Sequence, residues 1–240
     1  MQDFFANCAT VLQKYGFSYL RGAGTTLLLA LVGTFFGCLI GFAVGALQTI
    51  PVDKQRDPVW KRVLLKILHI FLRCYVELFR GTPMIVQAVF IYYGLLQVFG
   101  IKMGMWQAGF FIVSINTGAY MAETVRGGIV SIDPGQTEGA KAIGMNHWQT
   151  MLHVILPQAL RTAFPTLAST LIAMVKDTSL AANITVTEMF MVTQRIVART
   201  YEPLLLYLEV GLIYLIFSTV LTKLQAVGEK KLGSYGQKGV

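Results

Sequence analysis

The feature that most constrains this chain is a long stretch without a charged residue, residues 25–50. As a helix rising 1.5 Å per residue, it would be about 39 Å long, enough to cross the roughly 30 Å hydrocarbon core of a bilayer. Within it Gly33, Gly37, Gly41 and Gly45 recur every four residues and therefore share one helix face. Small residues at this spacing let a second helix approach closely. The stretch predicts a tilted transmembrane helix with a close-packing face.

The composition supports the same interpretation for the whole chain. Of its 240 residues, 55% are hydrophobic and 13% are charged, whereas a soluble domain carries about 25% charged residues. This excludes an ordinary soluble enzyme, a disordered chain and a coiled coil. Cys8, Cys38 and Cys74 are far apart, and the histidines form no metal-ligand motif. We therefore expect neither a disulfide framework nor a metal site.

Alternation of apolar and polar segments predicts an all-α integral membrane protein, a single transmembrane domain over residues 1–240 with five transmembrane helices. Pro83 interrupts the second apolar segment, so we expect a break near residues 81–83. The spans are expected at about residues 22–50, 63–100, 106–130, 156–178 and 204–227.

The net charge of +8 has two possible explanations, nucleic-acid binding or membrane topology. With the N-terminus outside and the C-terminus in the cytoplasm, most Lys and Arg residues fall in cytoplasmic loops, as the positive-inside rule requires. The basic excess therefore indicates topology and not a nucleic-acid partner.

A polar stripe runs along the helix predicted before the break. Its members are spaced three or four residues apart, so they share one face. They are Arg62, Lys66, His69, Arg73, Glu77 and Arg80. Two alternatives follow: the segment lies in the membrane interface, or it enters the membrane with its stripe against protein.

The cytoplasmic loop, residues 131–155, is longer than a simple connection needs. We expect a short helix over Thr137–Ile143, ended by Gly144 in a left-handed cap, and a second short helix over His147–Ile155. The small pair Gly139–Ala140 is expected on the exposed surface. This helix-turn-helix is typical of a docking element for another protein.

The loop also carries a family resemblance. Glu138-Gly139-Ala140, then Gly144, then Val154-Ile155-Leu156-Pro157 resemble the EAA loop of ABC importer permeases, with glycine for the usual first alanine and valine for the usual isoleucine. Further segments resemble the polar amino-acid branch, which includes permeases for histidine, glutamine, arginine and cystine. These segments are Glu77–Pro83, Ala119–Gly128 and Lys176–Leu180. The resemblance covers roughly residues 20–225.

The resemblance implies a transmembrane subunit of an ATP-driven amino-acid importer in the bacterial plasma membrane. Its partners would be an ATP-binding subunit, a second permease chain (identical or related) and an extracytoplasmic solute-binding protein. No cofactor is expected in this chain: it lacks the G-x-x-x-x-G-K-[ST] phosphate loop, so ATP and Mg²⁺ would bind the partner. The implied contacts with the ATPase subunit are Glu138, Gly139, Ala140, Lys141, Gly144 and Met145. Neither an enzyme nor a passive channel would explain this loop.

Ionisable residues at membrane depth are costly and usually face a cavity or a partner. For an amino-acid substrate, Glu123 or Asp177 would accept the ammonium group, and Arg80 or Arg126 would attract the carboxylate. The predicted substrate pathway comprises Glu123, Asp177, Asn116, Tyr120, Arg80, Thr82, Thr178 and Ser179. The alternative is structural pairing, of Glu123 with Arg126 and of Arg73 with Glu77. The sequence leaves open which amino acid is carried.

Overall fold

The fold is described from a computed structural model, over residues 2–53 and 57–236. All regular elements in these residues are helical, as the sequence predicted. The α-helices are α1 (Gln2–Gln48), α2 (Val59–Gly81), α3 (Met84–Val89), α4 (Leu95–Phe99), α5 (Met105–Val130), α6 (Pro134–Ala142), α7 (His147–Thr150), α8 (Leu156–Asp177), α9 (Met189–Thr200) and α10 (Pro203–Gly236). Segments of π-helix occupy Phe90–Gly94 and Met151–Ile155, and a 3-10 helix occupies Thr178–Ile184.

The break in the second apolar segment falls at Thr82–Pro83. Both residues have extended backbone, with φ −121° and ψ 148° at Thr82 and φ −63° and ψ 135° at Pro83. The proline ring disfavours helical geometry in the residue before it, so α2 ends at Gly81 and a new helix starts at Met84.

Length and hydropathy identify fewer membrane-crossing helices than the five spans predicted. In the described residues, Gln13–Gln48 and Pro203–Lys231 each suffice alone, and Val59–Gly81 with Met84–Phe99 qualifies as one bent pair. Helices α5 and α8 are not among them, because polar side chains are distributed along both. The five-span topology therefore stays a prediction.

The chain forms two compact units, each with its own buried core. The first unit comprises the described parts of residues 1–34, 83–113 and 171–224, and the second those of 35–82, 114–170 and 225–240. Leu29, Ile112 and Met189 are almost completely buried in the first unit. In the second, Val76 and Ala122 belong to one buried cluster, and Val125 and Ile155 to another.

The predicted glycine face of α1 packs on α5 in both units. In the first unit, a Cβ added at Gly33 would lie 2.3 Å from Val113 Cγ1. In the second, a Cβ at Gly41 would lie 2.2 Å from Met121 Cβ. The close-packing face is thus confirmed. Within the first unit Leu29 faces Gly109 and Gly33 faces Val113, and within the second Gly37 faces Thr117 and Gly41 faces Met121, so α1 and α5 run parallel in each unit.

Helix α9 of the first unit begins at a buried acidic cap, Glu188. Its carboxylate accepts hydrogen bonds from the backbone N–H groups of Phe190 (2.7 Å) and Met191 (2.6 Å). The Tyr214 hydroxyl donates a further bond of 3.1 Å to it. Glu188 lies outside the predicted spans and has no exposed surface. Burial, opposed by these hydrogen bonds, raises the pKa of its carboxyl from 4.5 to about 6.

Because the pKa of Glu188 is raised, we expect the unfolding free energy to rise as the pH falls. The variant Glu188→Gln should lack this pH dependence. Above pH 6 the Glu188 carboxylate is ionised in both the folded and the unfolded protein. The folded protein therefore carries the full free-energy cost of burying the charge. As pH falls from about 6 to about 4.5, the folded state takes up a proton first. The wild type should gain about 2 kcal/mol of unfolding free energy relative to Glu188→Gln. Denaturant titrations at several pH values measure this difference, and a difference that stays flat or falls on acidification contradicts it.

Candidate functional site

A charged cavity lies within the second unit. Its volume is about 420 Å³, and α2 and α5 provide most of its lining. The lining residues are Gln48, His69, Arg73, Val76, Glu77, Arg80, Glu123 and Arg126. Four of the α2 members, His69, Arg73, Glu77 and Arg80, recur every three or four residues and belong to the polar stripe seen in the sequence. Lys66, Arg73, Glu77 and Arg80 of that stripe are exposed, so both alternatives for its surroundings stay predictions.

Hydrogen bonds and one glycine hold α2 against α5 beside the cavity. Tyr75 donates its hydroxyl to the Ile115 carbonyl over 2.6 Å, and Asn116 Nδ2 donates to the Phe79 carbonyl over 3.4 Å. A Cβ at Gly118 would lie 2.8 Å from both the Tyr75 hydroxyl oxygen and Ile40 Cγ2, so a side chain there would force one of these neighbours to shift. Asn116 is buried and does not line the cavity.

Glu123 is the centre of the charged groups in this cavity. Its Oε1 lies 2.6 Å from Arg126 Nη2, and its Oε2 lies 3.1 Å from Arg126 Nε. Arg80 Nη1 is 3.9 Å from Oε2, and the Arg80 guanidinium lies 5.8 Å from the centre of the Tyr120 ring. The bidentate geometry of Arg126 is the strong form of such pairs. Glu123 thus carries two guanidinium partners, and the Glu123–Arg126 pair anticipated as structural is formed.

The remaining predicted pathway residues do not line this cavity. The Thr82 hydroxyl donates to the Leu78 carbonyl over 2.8 Å, back along its own helix. Asp177, Thr178 and Ser179 belong to the first unit, where α8 passes into the 3-10 helix. Thr178 is buried there and donates to the Val175 carbonyl.

Several lining residues were not predicted as pathway residues. His69, Arg73 and Glu77 were visible as a stripe, but the sequence could not show that the stripe faces a cavity. Among the described residues, Arg73 and Glu77 form no ion pair with each other, contrary to the alternative considered above. Gln48 left no signal, because a single polar residue after an apolar run resembles an ordinary helix end.

The loop after α5 folds as the predicted helix-turn-helix. Asp133 accepts a hydrogen bond from Gly135 N, and Pro134 occupies the first helical position, so α6 begins earlier than the predicted Thr137. Gly144 has φ +83°, which confirms the left-handed cap. Asn146 and Gln149 form a reciprocal capping box at the start of α7.

The exposure of one loop residue was predicted wrongly. Ala140 is only 5% exposed, because α6 packs against the π-helical segment Met151–Ile155 and Ala140 faces inward. Met145 is half-buried. The exposed members of the predicted contact set are Glu138, Gly139, Lys141 and Gly144.

Comparison with known proteins accounts for the combination of apolar helices and a helical loop. Residues 60–234 match the family model described as "binding-protein-dependent transport system inner membrane component". This chain belongs to that family. The matched residues include α2 from Trp60 onward, α5 and the whole helical loop, whereas Gln48 precedes them.

This chain is similar to proteins described as amino-acid permeases. It is 41% identical over 165 residues to the L-cystine transport system permease protein TcyB of Bacillus subtilis, covering 68% of this chain and 70% of that protein. It is 34% identical to the glutamine transport system permease protein GlnP of Escherichia coli, covering 85% and 87%. A crystal structure of an amino acid ABC transporter with histidines superposes with a TM-score of 0.81 at 30% identity, covering 92% and 97%.

Alanine substitutions at two glycines of the loop are expected to change the unfolding free energy in opposite directions. Gly144→Ala places a side chain at φ +83°, which should lower the unfolding free energy by about 1 kcal/mol. Gly139 is helical and exposed with nothing near its Cβ position, so Gly139→Ala should raise it by up to about 1 kcal/mol. Thermal unfolding of the purified variants compares the two, and equal shifts of the same sign would contradict the cap assignment.

Proposed function

We propose that this chain is the transmembrane subunit of an ATP-driven importer of polar amino acids in a bacterial plasma membrane. It would form the translocation pathway together with a second permease chain, and a solute-binding protein would deliver substrate from outside. The observation that carries the proposal is the exposed surface of α6, with Glu138, Gly139 and Lys141, within the region that matches the transport family.

The loop supplies the coupling contact with an ATPase subunit. Glu138, Gly139, Lys141 and Gly144 present exposed groups, whereas Ala140 acts indirectly by packing α6 onto the loop. The Met145 N–H donates to the Ala140 carbonyl over 3.1 Å, so the turn after α6 is tied to the helix. A firmly capped turn suits a contact that must transmit motion, because a loose loop would absorb the displacement. ATP and Mg²⁺ would bind to the partner subunit. No cofactor would bind to this chain.

The charged cavity supplies groups of both signs for a zwitterion. Glu123 would accept the ammonium group of the amino acid, and Arg80 or Arg126 would bind its carboxylate, exchanging the resident ion pairs for substrate. Asn116 and Tyr120, both on α5, are proposed to support the part of the cavity lining that α5 provides. Asp177, Thr178, Ser179 and Thr82 are proposed to line other parts of the route. ATP-driven closure of the partner would shift the chain between inward-facing and outward-facing states.

The orientation follows the distribution of Lys and Arg along the chain. The five-span arrangement, with the N-terminus outside and the helical loop in the cytoplasm, places α6 on the side where ATP is available.

Uptake by the reconstituted complex tests the proposal. The chain is co-expressed with its ATPase subunit and placed in lipid vesicles with the solute-binding protein and a labelled amino acid. Uptake should require both ATP and the binding protein. Uptake that continues unchanged without the ATPase subunit would overturn it.

A loop variant shows whether coupling passes through α6. Glu138→Lys reverses an exposed charge on the proposed contact and should reduce ATP-driven uptake while leaving the fold intact. Lys223→Glu reverses an exposed charge on α10, outside the loop, and serves as the matched control. Equal losses in both variants would count against a specific contact.

A further inference from the structure

A second cavity lies wholly within the first unit, near the start of α5 and the beginning of the apolar stretch of α1. Its volume is about 430 Å³, and its charged lining residues are Arg21, Arg195 and Arg199. Its lining includes no carboxylate. Within the described part of the chain, none of these three arginines forms an ion pair. Among the residues that the structure describes, the cavity therefore concentrates positive charge without a carboxylate in its lining.

The positions of two of the arginines are fixed by α9. Arg195 and Arg199 are four residues apart and therefore lie on the same face of α9. Their neighbours on that helix, Val192 and Ile196, are only 9% and 5% exposed. Like charges at this spacing repel each other by a few tenths of a kcal/mol in an isolated helix. A bound anion would remove that repulsion and satisfy donors that now face the cavity.

The surrounding sequence places the cavity at the level of a membrane surface. After Arg21, α1 carries no charge to its end at Gln48, and α5 carries none from Met105 until Glu123. Because the two helices run parallel, both enter their apolar stretches from the cavity in the same direction. Phe17 (80% exposed) and Trp106 (38% exposed) line the cavity. Exposed aromatic rings are enriched at the headgroup level of a bilayer.

We propose that this cavity binds the headgroup phosphate of an anionic phospholipid. Guanidinium groups match phosphate oxygens with paired hydrogen bonds, so Arg21, Arg195 and Arg199 suit this ligand better than lysines would. Leu28, seven residues after Arg21 and thus on the same face of α1, is 47% exposed and offers apolar surface for an acyl chain. The inference rests on the membrane location of the family and is independent of the substrate proposed above.

Lipid binding to the purified full chain tests the inference. Native mass spectrometry measures the dissociation constants of phosphatidylglycerol and phosphatidylcholine for wild type and for the double variant R195Q/R199Q. Each arginine near a charged membrane surface contributes about fivefold in affinity, so phosphatidylglycerol should bind roughly 25-fold more weakly to the double variant. Phosphatidylcholine binding should change little.

Matched variants make the result specific. R161Q removes the same charge from an exposed position on α8 outside the cavity and should leave phosphatidylglycerol binding unchanged. R195K/R199K keeps the charge but loses the paired hydrogen bonds, so it should bind phosphatidylglycerol more tightly than R195Q/R199Q and more weakly than wild type. Unchanged phosphatidylglycerol affinity in R195Q/R199Q would overturn the inference. So would loss of solute-binding-protein affinity with lipid binding intact, or full displacement of the lipid by millimolar inorganic phosphate.

Discussion

Replacing Gly41 with leucine is expected to destabilise the folded chain strongly. A Cβ at this position would lie 2.2 Å from Met121 Cβ and 2.9 Å from the backbone nitrogen of Ala122. The backbone of α5 cannot rotate away as a flexible side chain would, so α1 and α5 must separate. Overpacking alone costs about 1–3 kcal/mol, and a displaced helix pair should cost at least about 3 kcal/mol. Thermal unfolding and the yield of monodisperse protein measure the loss.

Gly24 offers a matched control on the same helix. It is exposed, and a Cβ built there meets nothing within 4 Å. Gly24→Leu should therefore leave stability within about 1 kcal/mol of wild type. Similar losses in Gly24→Leu and Gly41→Leu would mean that any leucine in α1 is harmful, and the packing face would not be the cause.

Glu123→Gln is expected to reduce amino-acid uptake by at least tenfold. The change keeps the shape of the side chain but removes the charge that contacts Arg126 at 2.6 Å and Arg80 at 3.9 Å. A hydrogen bond to a charged group contributes about 1.5–3 kcal/mol, so loss of the ammonium acceptor should lower uptake about tenfold to a hundredfold. Stability should fall by less than about 1 kcal/mol, because this pair is partly exposed. Vesicle uptake and thermal unfolding measure the two effects separately.

Glu77→Gln provides the comparison within the same cavity. Glu77 lines the cavity but forms no ion pair with Arg73 in the described structure. We expect a smaller loss of uptake from Glu77→Gln, and partial recovery from Glu123→Asp, which restores the charge. If Glu123→Gln instead unfolds the protein and the remaining folded fraction transports normally, Glu123 has only the structural role of pairing with Arg126.

Local features of the fold could be predicted because they depend on residues close in sequence. The proline that ends α2, the glycine cap at Gly144 and the glycine face of α1 each follow from the geometry of one segment. The boundary of α6 was predicted too late, because the Asp133 cap extends the helix back to Pro134.

The charged cavity could be predicted only in part. Periodicity groups Arg73, Glu77 and Arg80 on one face of α2 and Glu123 with Arg126 on α5, since both patterns are intrinsic to a helix. It does not indicate that Gln48 joins them or that Asn116 turns to the Phe79 carbonyl instead. Those assignments depend on contacts between residues far apart in sequence.

By itself the sequence determined that the chain is helical and apolar, with a capped helical loop and a glycine face on α1. These properties follow from hydrophobicity, backbone geometry and 3.6-residue periodicity, which act over a few turns. The tertiary structure alone decided that α5 covers the glycine face, that Ala140 is buried and that Arg21 lies with Arg195 and Arg199 around one cavity. A helix pattern shows which side chains share a face, but only long-range packing selects what that face meets.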